Sequence, residues 1–268
     1  MTTTIGIIGQ KGGVGKTTTA INLAGCLVER GKRVLLIDTD GQRSATMVLG
    51  AVPGDVTQVE MFQGRCNLAA LIQPVKCVPG LDLVPSVKLL SAAERVLAQT
   101  VGVELVLRQE IASLDPSRYD FVLLDCGPNL GLMTVTALAA AQAIVVPLEP
   151  SVLSLDTLGD LRETVDVVCK RLNPELRILS YVITQMDTSG ARHPKAIAEE
   201  LRNALGDLFC PIIIRRAIAL VEAMASGLPI TTFDPTSKGA EDYRAFTDDV
   251  LRRLGHEQQQ SGVQHGQA

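Results

Sequence analysis

The sequence contains no tryptophan, and aromatic residues of any kind make up only 3% of it. A core so short of ring volume has to close on small aliphatic side chains. The 23 glycines and the plentiful alanines suit tight helix-on-sheet packing and close approach of backbone to a ligand. Paired cysteines are also missing. The six cysteines, at 26, 66, 77, 126, 169 and 210, form no C-x-x-C motif and fall mostly inside apolar runs, where cysteine acts as a small buried hydrophobe. This spacing argues against a thiolate metal site or an Fe–S cluster. It also argues against a disulfide framework and fits a reducing cytoplasm. There is no basic excess: 25 Lys and Arg stand against 29 Asp and Glu, a net charge of −4. Such a chain is not globally drawn to nucleic acid, so any DNA contact must come from a local basic patch. Finally, no apolar run is unbroken for long. The longest, over 132–148, is interrupted by Thr134, Thr136, Gln142 and Pro147, and reads as a helix followed by a buried strand rather than a membrane span. The opening MTTTIGIIGQ has no basic region or cleavage site and is not expected to be a signal peptide.

What is present is a strand–helix alternation along nearly the whole chain of 268 residues. Strands are expected at Thr4–Ile8, Arg33–Ile37, Leu81–Val84, Phe121–Leu124, Ala143–Val146, Ile178–Ile183 and Ile212–Ile214. Helices are expected from Lys16 to about Arg30, closed by Gly31, and over Val103–Leu114, Gly131–Ala141 and Leu153–Leu172. Further helices are expected over Pro194–Leu205, Ala219–Ala225 and Gly239–Leu254. The strands are near-continuous apolar runs, as in a parallel sheet buried on both faces. The order predicts an α/β fold: a doubly wound, mostly parallel sheet with helices on both faces. One domain is expected over 1–254, followed by a polar, Gln-rich and disordered tail over 255–268. Ala51–Cys66 shows weak periodicity and receives no element.

The densest chemistry is Lys11-Gly12-Gly13-Val14-Gly15-Lys16-Thr17-Thr18, between the first strand and the first helix. Glycines let consecutive amides turn inward as an anion nest, and the helix directs its positive end to the same point. In a P-loop, Lys16 reaches the β- and γ-phosphates of ATP and the Thr17 hydroxyl ligates Mg²⁺. Thr18 is assigned to the α-phosphate. The generic pattern G-x-x-x-x-G-K-S/T would put glycine at Gln10, so the loop fits the deviant form K-G-G-x-G-K-T-T instead. Two acidic strand ends accompany it. Asp38-Thr39-Asp40 follows the second strand, with Asp40 placed to orient or activate a water and Asp38 as a loop anchor. The alternative is that both cap a helix starting near Gln42. Phe121–Leu124 runs into Asp125, an apolar strand ending in a carboxylate that suits Mg²⁺ held through water. Gly127-Pro128 beyond it suits a turn that senses the γ-phosphate.

These segments resemble the ParA/Soj partition ATPases of the MinD-like deviant P-loop group. The landmarks are QKGGVGKTTTAINLA at 10–24, VLLIDTDGQRSAT at 34–46 and GLDLVPS at 80–86, followed by YDFVLLDCGPNLGLMTVTAL at 119–138, VVPLEPSVLSLDTL at 145–158 and GLPITTFDPTSKGAEDY at 227–243. The resemblance implies an ATP-bound homodimer in which Lys11 reaches the partner's nucleotide. It implies a cycle in which that dimer binds nonspecific DNA of the nucleoid and a ParB-like or cargo-adaptor protein stimulates hydrolysis. A plasmid, a chromosome origin or a protein assembly is positioned as a result. The chain departs from the family pattern at Gly41, where Pro is common, and at Ala219, where a DNA-contacting Arg is common. Arg215 and Ala217 stand where Pro and Asn help hold adenine. Arg192, Arg215, Arg216 and Lys238, with Lys195 and Arg202, are therefore the candidates for a basic DNA surface; the alternative is ordinary solvated charge. For adenine, Met186 is assigned the packing contact within Thr184-Gln185-Met186-Asp187. A MinD-like membrane role would need an amphipathic basic C-terminal helix, which GHEQQQSGVQHGQA does not supply. A nucleotide-dependent protein-recruitment switch without DNA is the remaining alternative.

Overall fold

A computed structural model describes residues 2–150, 154–186 and 192–255, without the side chains of 154–157 and 192–195. The expected tail beyond Gly255 lies outside these residues, as does Asp187. The strands are β1 (Thr3–Ile7), β2 (Val34–Asp38), β3 (Gln73–Pro74), β4 (Leu81–Val84), β5 (Phe121–Asp125), β6 (Ala143–Leu148), β7 (Arg177–Met186) and β8 (Phe209–Arg215). They form one sheet in the order β3-β4-β2-β5-β1-β6-β7-β8. Neighbours run parallel except β3 and β4. The order reverses around β1, which lies between β5 and β6. That switch point opens the sheet at its carboxyl edge, where ligands bind in such folds.

Strand alternation sorts the apolar residues into two layers. Ile5, Ile7, Leu36, Leu123 and Val145 face one core, with α1 (Lys16–Glu29) and, near the C-terminus, Tyr243, Phe246 and Val250. Leu35, Ile37, Val122, Leu124 and Val146 face the other. There they meet α4 (Leu89–Leu97), α5 (Val106–Ala112), α6 (Leu132–Ala140), α7 (Ser154–Arg171) and α8 (Arg192–Leu205). The remaining helices are α2 (Ser44–Val48), α3 (Gln58–Phe62), α9 (Ile218–Ala225), α10 (Ile230–Phe233) and α11 (Lys238–Leu254). Burial of both faces explains why these strands read as unbroken apolar runs.

The structure differs from the sequence reading at several stretches, of which three bear on the fold around the site. The helix expected over Val103–Leu114 begins as a 3₁₀ turn, Val103–Leu105, and continues as α5. The unassigned Ala51–Cys66 segment holds α3, started by a capping box in which Thr57 and Glu60 satisfy each other's backbone amides. The helix α4, with Leu90 and Leu97 buried, was not expected. Among the described residues, no helix is long and apolar enough to cross a membrane.

Phe246 is fully buried between α11 and the sheet and meets Tyr243 edge-on at 6.4 Å. Phe246→Ala is expected to lower unfolding free energy by about 3–5 kcal/mol, read from urea midpoints at unchanged m-value.

Candidate functional site

The loop between β1 and α1 has the geometry its glycines allow. Gly13 and Gly15 adopt φ values of 78° and 81°, a conformation that residues with a Cβ avoid. Gly15 caps α1, so the helix starts on Lys16. The loop is braced from β7: the Thr184 hydroxyl donates to Val14 O at 2.8 Å, and the Gln185 side-chain amide donates to Gly13 O. Lys16 is buried, and its ammonium donates to Lys11 O at 3.0 Å. Burial lowers its pKa, while Asp125 and Asp40 pull it back up. Lys11 stays at the surface, where its ammonium pairs with Glu149 at 2.6 Å.

Asp38 and Asp125 lie side by side at the ends of adjacent strands. Asp38 is fully buried and tied into the backbone. Oδ1 accepts from the Asp40 amide at 3.1 Å, and Oδ2 accepts from the Thr46 amide at 2.8 Å and hydroxyl at 2.7 Å. Thr46 passes the network on by accepting from the Ser86 amide. Asp38 thus has the anchoring position expected of it, and burial raises its pKa to about 6. Asp125 is equally buried, yet neither carboxylate oxygen has a hydrogen-bond partner of normal geometry. Burial and then the Asp38 charge raise its pKa well above the usual carboxylate value, which Thr17 and Lys16 offset only in part. Asp40 is half-buried. Its Oδ1 accepts from the Gln42 amide at 2.9 Å, and a methyl group on Gly127 would stand 3.1 Å from that oxygen. The two acidic loops therefore touch.

These groups border a cavity of about 450 Å³ lined by the loop glycines, Lys16, Thr17, Thr18, Asp40 and Pro128. A second cavity, about 340 Å³, adjoins it across Gly15, Thr18, Gln185 and Met224, and is walled by Ala217, Leu220, Val221 and Tyr243. The first chamber carries the loop glycines, Lys16, the two threonines and Asp40, whereas the second is mostly apolar, with Arg215 and Arg216 at its wall.

The structure also relocates several assigned residues. Met186 is not on the wall of the second cavity; its side chain is buried in the core. Gln185 has a φ of 55°, and the β7–β8 register shifts between Ile183 and Met186. That irregularity breaks the alternation, turning Gln185 toward the loop and Met186 inward. Arg215 is not a free surface cation. Its guanidinium is held by Asp242 at 2.6 Å and 2.9 Å, and its amide by the same carboxylate. Arg202 stacks on the Phe209 ring at 5.3 Å. Arg216 and Lys238 are exposed, whereas the side chains of Arg192 and Lys195 lie outside the described residues. Next to Arg216, Ile218 and Val221 stand exposed on α9.

A glycine-cradled lysine at the switch point of a doubly wound sheet, faced by a buried carboxylate at the next strand's end, defines the P-loop NTPase class. Among family models, one described as an AAA domain matches residues 2–178. The chain is similar to the sporulation initiation inhibitor protein Soj of Bacillus subtilis, 38% identical over 248 residues, covering 92% of this chain and 97% of Soj. It is similar to the chromosome partitioning protein ParA of Myxococcus xanthus, 36% identical over 250 residues, with 92% and 87% covered. Among solved structures, cobyrinic acid a,c-diamide synthase from Mycobacterium smegmatis with bound ADP and magnesium matches with a TM-score of 0.81. Its identity is 31%, over 96% of this chain and 97% of that one. The chain belongs to the ParA/Soj family of partitioning ATPases.

The buried Asp125 carboxyl generates a prediction for the nucleotide-free protein. Folded Asp125 titrates above its unfolded value near 3.8, so the folded state holds more protons there and stability falls as pH rises through that window. Asp38 adds a parallel loss between about 3.8 and 6. Asp125→Asn is expected to stabilise the protein by about 1–3 kcal/mol at pH 7, with the gain shrinking as pH is lowered toward 4. Urea unfolding across that pH range checks it.

Proposed function

We propose that the protein binds ATP with Mg²⁺, dimerises in that state and hydrolyses ATP slowly to position a cargo. The observation that carries this reading is the buried, unpartnered Asp125 carboxylate facing Lys16 and Thr17 beneath a glycine-cradled cavity. A carboxylate so placed is uncompensated until a cation arrives. Thr17 would ligate Mg²⁺ and Asp125 would hold it through water, which suits an ion that keeps part of its hydration shell. Bound there, Mg²⁺ would supply positive charge against the phosphates. The Gly12, Gly13, Val14 and Gly15 amides, with Lys16 and Thr18, take the triphosphate, and the apolar second cavity takes the base. Asp40 orients the water that attacks the γ-phosphorus; the bond to the ADP oxygen breaks and phosphate leaves.

Lys11 is assigned to the nucleotide of a second copy. It is held by Glu149 in the single chain, so closing a dimer exchanges a half-exposed ion pair for a contact with phosphate. Exposed pairs of this kind contribute about 0–1 kcal/mol, which a triphosphate readily outbids. A ParB-like or cargo adaptor accelerates the turnover, and the ATP dimer holds nonspecific DNA of the nucleoid through Arg216, Lys238 and Arg192.

One observation favours a second reading, ATP-dependent recruitment of a protein without DNA. Arg215 is neutralised by Asp242, Ala219 offers no charge, and Ile218 and Val221 expose apolar surface beside them.

Lys16→Ala is expected to abolish ATP affinity in calorimetry. Lys11→Ala should keep that affinity within about threefold but lose the doubling of mass with a non-hydrolysable analogue in light scattering. Asp40→Ala should retain ATP in a stable dimer. Normal turnover in Asp40→Ala would remove that carboxylate from the mechanism. Retention on nonspecific DNA with ATP but not ADP, weakening steeply with salt, supports the DNA reading; no retention in either state supports the protein-recruitment one.

A further inference from the structure

Helix α4 touches both acidic loops, a role that no residue pattern in the phosphate loop requires. At one contact it meets the loop after β2. A methyl group on Gly41 would lie 1.8 Å from Ser91 Oγ, 2.9 Å from Ser91 Cβ and 3.0 Å from the Ser91 amide nitrogen. Two of those atoms belong to the helix itself or sit next to its backbone, so a side-chain rotation alone does not make room. Here the absent side chain is what lets α4 lie directly on the turn that carries Asp40.

One helical turn on, Glu94 meets the loop after β5. Its Oε2 would be 2.8 Å from a methyl group on Gly131, and its carboxylate faces the Leu132 and Met133 amides at the start of α6. Those amides have no partner within their own helix, and a carboxylate beside them complements the helix dipole. Burial pushes Glu94 toward its neutral form, the two amides hold it charged, and the Asp40 charge is close enough to act on it. Buried Leu90 and Leu97 fix α4 against the core, so it cannot shift at one contact and stay put at the other.

We propose that α4 is a rigid tie between the two loops that flank the γ-phosphate, with Ser91 and Glu94 as positioning residues that set Asp40 and the 126–131 loop together. Neither residue touches the phosphate cavity. Their effect on turnover runs through the loops they hold. The kinetic part of this inference rests on the ATPase reading above; the structural part does not.

Amide hydrogen exchange on the nucleotide-free protein tests the tie itself. Glu94→Ala is expected to speed exchange at Leu132 and Met133 and, across the helix, at residues 40–43 as well. Acceleration confined to 131–133 overturns the tie. In turnover assays, Glu94→Ala should lower kcat about tenfold with the Kd for Mg-ATP changed about twofold or less, and Glu94→Gln, which keeps an acceptor oxygen, should recover part of the loss. Gly41→Ala should lower kcat similarly, and Gly41→Ala with Ser91→Gly should restore much of it. No recovery in the double variant, or equal losses in kcat and affinity, overturns the positioning role. If the unaltered protein neither binds nor hydrolyses ATP while the exchange result holds, the ATPase reading falls and the tie stands.

Discussion

The site is organised around an electrostatic imbalance. Asp38, Asp40 and Asp125 converge at the carboxyl edge of the sheet, and the buried cation among them is Lys16. The fold deals with the three carboxylates differently. Asp38 is satisfied by an amide–hydroxyl network that ends the β2 strand and starts α2. Asp40 is left half in solvent. Asp125 is sealed in with no hydrogen bond of normal geometry, offset only in part by Thr17 and Lys16. Placing an uncompensated acid in the interior weakens the empty protein, and the weakness is relieved by any ligand that brings positive charge to that point. The phosphate loop, the strand ends and the two cavities are arranged around that one unmet demand.

The contiguous parts of the site were legible in the sequence. Residues 11–18 carry their own conformational requirements, since glycines at 13 and 15 supply left-handed backbone and the lysine and threonines follow at once. Asp125 was legible because a strand buried on both faces cannot carry a carboxylate anywhere but its end. The α3 helix was also legible in principle: Thr57 followed by Glu60 is a capping signal, but a helix only five residues long leaves too little periodicity to notice. What could not be read depends on partners far along the chain. Arg215 looks like a surface cation until Asp242, 27 residues later, is found holding it. Met186 looks like the residue to face the base until a backbone irregularity at Gln185 turns it around. The role of α4 was invisible because it consists of contacts at Gly41 and Gly131, where the informative feature is a side chain that is not there.

The surface beside the second cavity also departs from a simple basic patch. An ion pair, Arg215 with Asp242, stands where an open cation was expected, and the adjacent face of α9 carries Ile218 and Val221. A family resemblance that covers nearly the whole chain thus leaves this part to be read from its own residues.

The alignment of β2 on β5 has one more consequence. Asp38 and Asp125 are paired across that boundary, each preceded by an unbroken apolar run. A slip by one residue along either strand would exchange the two packed layers and drive a carboxylate toward hydrocarbon. Aliphatic strands on their own tolerate such mispairing, because one leucine substitutes well enough for another. The terminal acids remove that tolerance, because only the native register leaves both carboxylates at the sheet's polar edge.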